Sequence, residues 1–173
     1  MRPLYDDKLS ARGVTDSAQR ILNLIPMRSG DRGLHVVDED SFVMLALWSL
    51  LRWERKVGLV ALECLRVGLE ALSRRLDQLL TAKADEHPVA ASPSGIVLLK
   101  TGEPYEHWDF HKVLEPLLRE AEDEALAMKH DYVGSEHLLL AVIKLARTDL
   151  AQVLESHSVT CDRVRATILD ILG

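Results

Sequence analysis

Apolar residues recur at helical spacing along the first half of the chain and predict four helices. We expect a first helix from Thr15 and Asp16, followed by helices over Ser41–Leu51, Val57–Leu65 and Leu69–Leu80. Pro26 should end or kink the first helix, and Asp40 should cap the second. The second helix is apolar on every side, so the pattern predicts that other elements cover it completely.

The second half of the chain shows the same alternation of caps and apolar stripes. One stripe lies on Leu114, Leu117, Leu118, Ala121, Ala125 and Met128, with the acidic residues 120 and 122–124 mostly on the opposite side. Ser135, Thr148 and Thr160 are the predicted caps of the next three helices. Between the halves, residues 82–103 are rich in proline, glycine and small residues, which is typical of a linker. Residues 1–12 read as a loose N-terminal arm.

The two halves can be aligned on each other. The most informative stretch is HDYVGSEHLLLAVIK at residues 130–144, and a weaker version begins at His35. His35 corresponds to His130 at an offset of 95 residues, and Val67 corresponds to Val159 at an offset of 92. Internal repeats of this size point to one duplicated unit. We therefore predict an all-α fold, with tandem four-helix repeats at 13–81 and 104–173 packed as one pseudo-twofold bundle.

Composition excludes several classes of function. The net charge of −6 argues against a nucleic-acid role based on a basic surface. The apolar runs are too short for a membrane span, and the N-terminus lacks the apolar core of a secretory signal. Cys64 and Cys161 lie far apart and form no CxxC motif, so a reducing compartment fits best. We expect a cytoplasmic protein that contacts neither nucleic acid nor membrane.

At the stretch from His130 to Leu140 the sequence resembles the Clp amino-terminal repeat domain, found at the front of Clp-type Hsp100 unfoldases. Each of that family's two repeats carries a box of GH-x-Y, Ile or Val, Gly, Thr or Ser, then EH and apolar residues. The second repeat matches the box closely, and the first keeps His35. The first repeat departs from the box at Val37, Glu39, Asp40, Ser41 and Phe42.

The resemblance implies a protein-binding module without catalysis or cofactor. Its partners would be a Clp-type unfoldase or protease, an adaptor, or a substrate polypeptide, and the chain would be free-standing, without ATPase modules. The candidate contact residues are Glu136, Tyr132 and His137, then Asp38, Glu39 and Asp40. The resemblance implies that Glu136 receives a basic or guanidinium-type group. The structural alternative is that these side chains only cap and pack helices, with Gly134 adopting a backbone shape that other residues avoid.

Other interpretations stay open on the sequence alone. His107 and His111 have the i, i+4 spacing of two metal ligands, which allows a small metal- or ligand-binding helical protein. His130, Glu136 and His137 could join such a site only if the fold brought them together. Trp48 and Trp53 could form an aromatic contact for a partner, although helix packing is the commoner reason for tryptophans at this spacing. The chain could also be a degenerate structural Clp-like domain.

Overall fold

The computed structural model describes residues 13–32, 34, 38–52, 56–86 and 110–173, without the side chains of 26, 27, 30, 31 and 110–113. The predicted arm at 1–12, most of the predicted linker, His35, Trp53 and His107 lie outside these residues. Within them, the helices of the first half are α1 (Asp16–Asp31), α2 (Glu39–Arg52), α3 (Val57–Cys64) and α4 (Leu69–Glu86). Those of the second half are α5 (Phe110–Ala127), α6 (Ser135–Leu145), α7 (Thr148–Ser156) and α8 (Cys161–Leu172).

Two very short strands complete the described secondary structure. β1 (Gly13–Val14) and β2 (Tyr132–Val133) pair in parallel, with Gly13 opposite Tyr132. Everything else in the described ranges is helix, turn or connection, so the all-α class is confirmed. None of the described helices combines the length and apolar character that a membrane crossing requires.

The core forms around α2 and α6. Every residue of α2 from Ser41 to Leu50 is buried, and so is every residue of α6 from Ser135 to Val142. The two helices contact each other, α1 and α4 also cover α2, and α5, α3 and α8 also cover α6. Covering on all sides is what their largely apolar sequences require, because an apolar face left in water would cost free energy.

Helices of the two halves pack in a reciprocal pattern. α3 packs against α8 while α4 packs against α7, and α1 contacts α6 while α2 contacts α5. In the predicted alignment of the repeats, α1 to α4 correspond to α5 to α8 in order. Exchanging the repeats therefore turns the α3–α8 pair into the α7–α4 pair, and the α1–α6 pair into the α5–α2 pair. The pattern agrees with a pseudo-twofold arrangement, and the symmetry itself stays a prediction.

The start of α2 lies at the end of α6. A side-chain oxygen of Glu39, the first residue of α2, is 3.6 Å from a guanidinium nitrogen of Arg147, which lies just beyond α6. Glu39 and Asp40 also line a small cavity together with Leu145, the last residue of α6. Since α6 has 11 residues, the beginnings of α2 and α6 are separated by roughly 16 Å, the length of that helix.

Two sequence predictions about α1 and α2 need correction. Pro26 does not end α1, which continues to Asp31 because its buried Ile21, Leu22 and Ile25 anchor it in the core. Such tertiary packing outweighs the hydrogen bond that a proline removes. α2 is capped by Asp38 and not by Asp40. Asp38 Oδ1 accepts hydrogen bonds from the Ser41 amide at 2.8 Å and from the Ser41 hydroxyl at 2.7 Å.

The caps of the second half also differ from those predicted. Ser135 and Thr148 are the first residues of α6 and α7, whose N-caps are Gly134 and Arg147. Thr160 does occupy the N-cap position of α8, but its side chain makes no capping hydrogen bond. Helix starts in this half therefore depend on backbone and tertiary contacts more than on hydroxyl caps.

Candidate functional site

The strand pair fixes the chain segment that leads into α6. Val133 is fully buried, and its carbonyl accepts a hydrogen bond from the Thr15 amide at 3.0 Å. The pairing of Gly13 with Tyr132 joins the entry of α1 to the turn before α6. Two residues are too short for a period-2 pattern, so the sequence carried no readable signal for this contact.

A chain of hydrogen bonds closes the first turn of α6. The Gly134 amide donates to His137 Nδ1 at 2.9 Å, so that nitrogen carries no proton. A neutral His137 then holds its proton on Nε2, which lies 2.9 Å from His130 Nδ1 and donates to it. Burial, and then the neighbouring His130, lower the pKa of His137 from 6.5 to about 4. His137 is therefore neutral at physiological pH, where it serves as the side-chain cap of α6.

Glu136 lies in the same turn with its carboxylate almost entirely buried. The residue is 5% exposed, and the Ser135 hydroxyl lies 3.4 Å from its Oε2. Burial first, and then the charge of Glu136 and a hydrogen bond to it, raise the pKa of Tyr132. The carboxylate also lies at the positive end of the α6 dipole.

The structure gives the glycine at 134 a reason in space and not in backbone shape. Its φ of −104° is one that any residue adopts, so the predicted conformational reason for glycine is wrong. A Cβ at this position would overlap the carboxylate of Glu136. The glycine therefore lets the acidic side chain fold back against the backbone of its own helix start.

The aromatic rings around this carboxylate form one compact group. His130 stacks on Tyr132, with ring centroids 5.2 Å apart and planes 9° apart. His137 meets both rings edge-on, at centroid distances of 5.0 and 5.6 Å. We call His130, Tyr132, Glu136 and His137 the box cluster. The structure thus brings together the three contact residues predicted in the second repeat.

The box cluster contains a set of possible metal ligands. One ligand atom from each of His130, Glu136 and His137 lies within 4.8 Å of the other two. The two histidine nitrogens are 2.9 Å apart, whereas tetrahedral zinc bound by both at its usual distance would hold them about 3.3 Å apart. The geometry observed is that of a shared proton. His107 and the side chain of His111, the pair predicted as metal ligands, lie outside the described residues.

The acidic candidates of the first repeat do not join the box cluster. Asp38 caps α2, Glu39 pairs with Arg147, and Asp40 lines the small cavity near Leu145. All three lie at the end of α6, whereas the box cluster lies at its start. The two groups of predicted residues therefore belong to separate surfaces.

A second buried carboxylate escaped the sequence prediction. Glu124 of α5 is 1% exposed and accepts hydrogen bonds from Arg165 of α8 at 2.9–3.0 Å. Lys144 of α6 lies 2.5 Å from Glu124 and 2.6 Å from Glu120. Burial would raise the pKa of Glu124, but the hydrogen bonds from Lys144 and Arg165 lower it overall. The overlooked signal is spacing, because Glu124 follows Ala121 by three residues and so falls on the buried stripe.

The fold and the site together define an all-α domain whose box cluster closes the start of a buried helix. Residues 109–173 match the family model described as the Clp repeat (R) N-terminal domain. This match begins one residue before α5 and continues to the end of the chain, so it includes α5 to α8. It confirms the resemblance predicted for the second repeat.

Curated relatives agree with this match. The ATP-binding subunit ClpC of the ATP-dependent Clp protease from Staphylococcus aureus (strain USA300) is 37% identical over 57 residues, which is 33% of this chain. The chaperone protein ClpB from Oceanobacillus iheyensis is 38% identical over 53 residues, or 31% of this chain. In each case the matched part is 7% of the relative's length, so the similarity concerns one small portion of a much larger protein.

Proposed function

We propose that this chain is a non-catalytic protein-binding module related to Clp machines. It would receive substrates or adaptors for a Clp-type unfoldase and protease, or dock on such a machine as an accessory. The match of residues 109–173 to the Clp repeat domain supports this proposal, as do the relatives named as a Clp protease subunit and a chaperone. Since the match covers a small part of those relatives, partner and activity are part of the proposal.

The main observation in support of this proposal is the surroundings of the Glu136 carboxylate. In the described part of the chain, no lysine or arginine forms an ion pair with it, and its contacts are Tyr132, Ser135 and His137. A buried carboxylate normally has a cationic partner. A guanidinium or ammonium group from a bound peptide would supply that partner by replacing the Tyr132 hydroxyl at the carboxylate. Because His137 is neutral at pH 7, it adds no competing positive charge.

The test of this role uses one conservative substitution and one matched control. The probe is a fluorescent peptide carrying three arginines, compared with the same peptide carrying three glutamines. Glu136→Gln keeps the size of the side chain and removes its charge, so binding of the arginine peptide should weaken about tenfold. Glu155→Gln, an exposed change of the same charge on α7, should leave the affinity unchanged. Equal affinity of the wild-type chain for both peptides would contradict the assigned role.

Docking on a Clp machine is tested separately by capture from a lysate. The chain is immobilised, and recovered proteins are probed for Clp unfoldase and protease subunits. Recovery by the wild-type chain and by Glu155→Gln, with loss in Glu136→Gln, supports docking through the start of α6. Absence of any Clp subunit from the wild-type sample contradicts docking but leaves the peptide measurement to judge Glu136.

The proposal also includes a cytoplasmic location. Its support is the state of the two cysteines, which are both free. Cys64 is exposed and Cys161 is half-buried. Cysteines that form no disulfide are typical of proteins in a reducing compartment. Localisation of a tagged full chain by fractionation checks this part of the proposal.

A further inference from the structure

The first repeat contains a cavity of about 220 Å³ between α1 and α2. Its lining residues are Leu24, Arg28, Trp48, Ser49 and Arg52. We call it the Trp48 pocket. Its volume is below the range of roughly 300–1,000 Å³ that is usual for sites of drug-sized ligands and cofactors. The size therefore fits a single side chain from another polypeptide.

Positive charge concentrates around the tryptophan. The guanidinium carbons of Arg28, Arg32 and Arg52 lie 5.7, 4.3 and 4.6 Å from the centroid of the Trp48 ring. At these distances each cation is attracted by the face of the ring. Three arginines therefore lie around one tryptophan ring, although the net charge of the whole chain is −6.

Asp77 of α4 is the acidic side chain that contacts this group within the described residues. Its carboxylate accepts a hydrogen bond from Trp48 Nε1 at 2.7 Å, one from Arg52 at 3.0 Å and one from Arg32. Burial would raise the pKa of Asp77, but the hydrogen bonds from Trp48 and Arg32 lower it overall. One carboxylate thus accepts hydrogen bonds from three donors beside the pocket.

Two buried polar atoms at this place have no hydrogen-bond partner. They are Ser49 Oγ and Arg32 Nε, and they are the unsatisfied buried side-chain atoms found in the described ranges. Ser49 is 2% exposed and lines the pocket, while Arg32 stacks on its tryptophan. Unpaired buried polar groups are rare in native proteins and need an explanation. Both atoms are able to donate a hydrogen bond to an anion.

The two predicted repeats differ in the side chains that surround this place. Buried positions Ala18, Ile21, Leu22 and Ile25 of α1 recur in α5 as Leu114, Leu117, Leu118 and Ala121, at an offset of 96. At that offset Arg28 corresponds to Glu124, the buried acid of the second repeat. At the offsets of the later helices, Ser49 and Ser73 correspond to Lys144 and Arg165. Where the second repeat holds one acid and two cations, the first holds an arginine and two short serines.

We propose that the Trp48 pocket binds a side-chain carboxylate of an acidic peptide segment. The arginines offer paired N–H donors that match a carboxylate, and the Ser49 hydroxyl supplies one further donor. Trp48 and Leu24 cover the methylene groups of a glutamate side chain. In the second repeat the corresponding acid is Glu124 of the chain itself, whereas here it comes from the partner. This inference stands on the first repeat and does not depend on the role proposed for Glu136.

The probe is a fluorescent peptide with four glutamates in a glycine–serine background and with both termini blocked. A counterpart with four glutamines has the same length but no charge. Fluorescence anisotropy should show that the wild-type chain binds the glutamate peptide at least about tenfold more tightly. Binding should weaken as salt is raised, because the contact is partly exposed.

Two substitutions locate the contact, and a third serves as the control. Arg28→Gln should weaken binding of the glutamate peptide about tenfold, and Ser49→Ala should weaken it by a few fold. Arg74→Gln removes the same charge from an exposed position on α4, where Arg74 pairs with Glu70, and should retain the wild-type affinity. Thermal unfolding of each variant checks that it is folded, and Ser49→Ala perturbs the fold least.

Three results would overturn the proposal. The first is equal affinity of the wild-type chain for the glutamate and glutamine peptides, including no binding of either. The second is a loss in Arg74→Gln as large as that in Arg28→Gln, because it would indicate a general charge effect. The third is an unchanged affinity in both Arg28→Gln and Ser49→Ala.

Discussion

Two buried glutamates in the second half of the chain have opposite surroundings. Glu124 meets Lys144 and Arg165, while Glu136 meets a tyrosine hydroxyl and a neutral histidine in the described structure. Both are at most 5% exposed, so burial does not distinguish them. The difference lies in the cations nearby, which make Glu124 a structural contact between three helices. Glu136 is therefore the carboxylate that we propose to bind a positively charged group of a partner.

The largest expected effect comes from removing the internally paired acid. Glu124→Ala leaves Lys144 and Arg165 without their buried partner and should lower the free energy of unfolding by about 3–5 kcal/mol. Urea unfolding measures this loss, with Glu155→Ala as an exposed control that should change stability by less than about 0.5 kcal/mol. A loss below about 1 kcal/mol for Glu124→Ala would remove the contrast between the two glutamates.

The box cluster should make the free energy of unfolding depend on pH. The pKa of His137 is lowered from 6.5 to about 4 on folding, so the unfolded chain binds more protons in that range. Stability is therefore full above about pH 6.5 and falls as the pH drops towards 4, by about 3 kcal/mol in total. Urea unfolding between pH 7 and 5 separates this effect from Glu124 and Asp77, whose lowered pKa values act at more acidic pH.

Substitution of the histidine supplies the control for that pH dependence. His137→Gln should flatten the slope of stability between pH 7 and 5, while His157→Gln should preserve it. If the slope persists in His137→Gln, another group causes it and the neutral capping role fails.

The smallest effect concerns the glycine beside Glu136. Gly134→Ala places a methyl group against the Glu136 carboxylate and should cost about 1–2 kcal/mol of unfolding free energy. Gly68→Ala is the matched change, because an added Cβ there meets only ordinary contacts. Gly134→Ala should also weaken binding of the arginine peptide by displacing the carboxylate. An unchanged affinity would show that the position of Glu136 does not matter to binding.

Local pattern was enough to predict the helices, and the resemblance to the Clp repeat domain supplied Tyr132, Glu136 and His137 as candidate contact residues. Tyr132, Glu136 and His137 lie within six residues, so a helix start alone brings them together. The acidic residues at 38–40 could not be placed in the same way, because their distance from Glu136 depends on the direction in which α2 crosses α6. The partners of Glu124 could not be predicted from the sequence either, since Arg165 is 41 positions away and reaches Glu124 only through tertiary packing.

The misplaced caps have a different origin. Several polar residues stood at each helix start, and sequence preference alone does not decide between Asp38 and Asp40, or between Ser135 and the ring of His137. The choice follows from which side chain the neighbouring elements hold in place. Pro26 is a similar case, because the burial of its neighbours outweighs the local cost of the proline.

The two-residue ladder between β1 and β2 has a consequence for how the protein assembles. It ties Gly13, ahead of the first helix, to Tyr132 of the box cluster, and thereby closes a very long loop of chain. Contacts of such high sequence separation form late, after the segments between them have docked. The Thr15 amide, hydrogen-bonded to Val133, is thus a hydrogen-exchange reporter of completed assembly. Its protection would appear only once both halves are joined and the tyrosine beside Glu136 is in place.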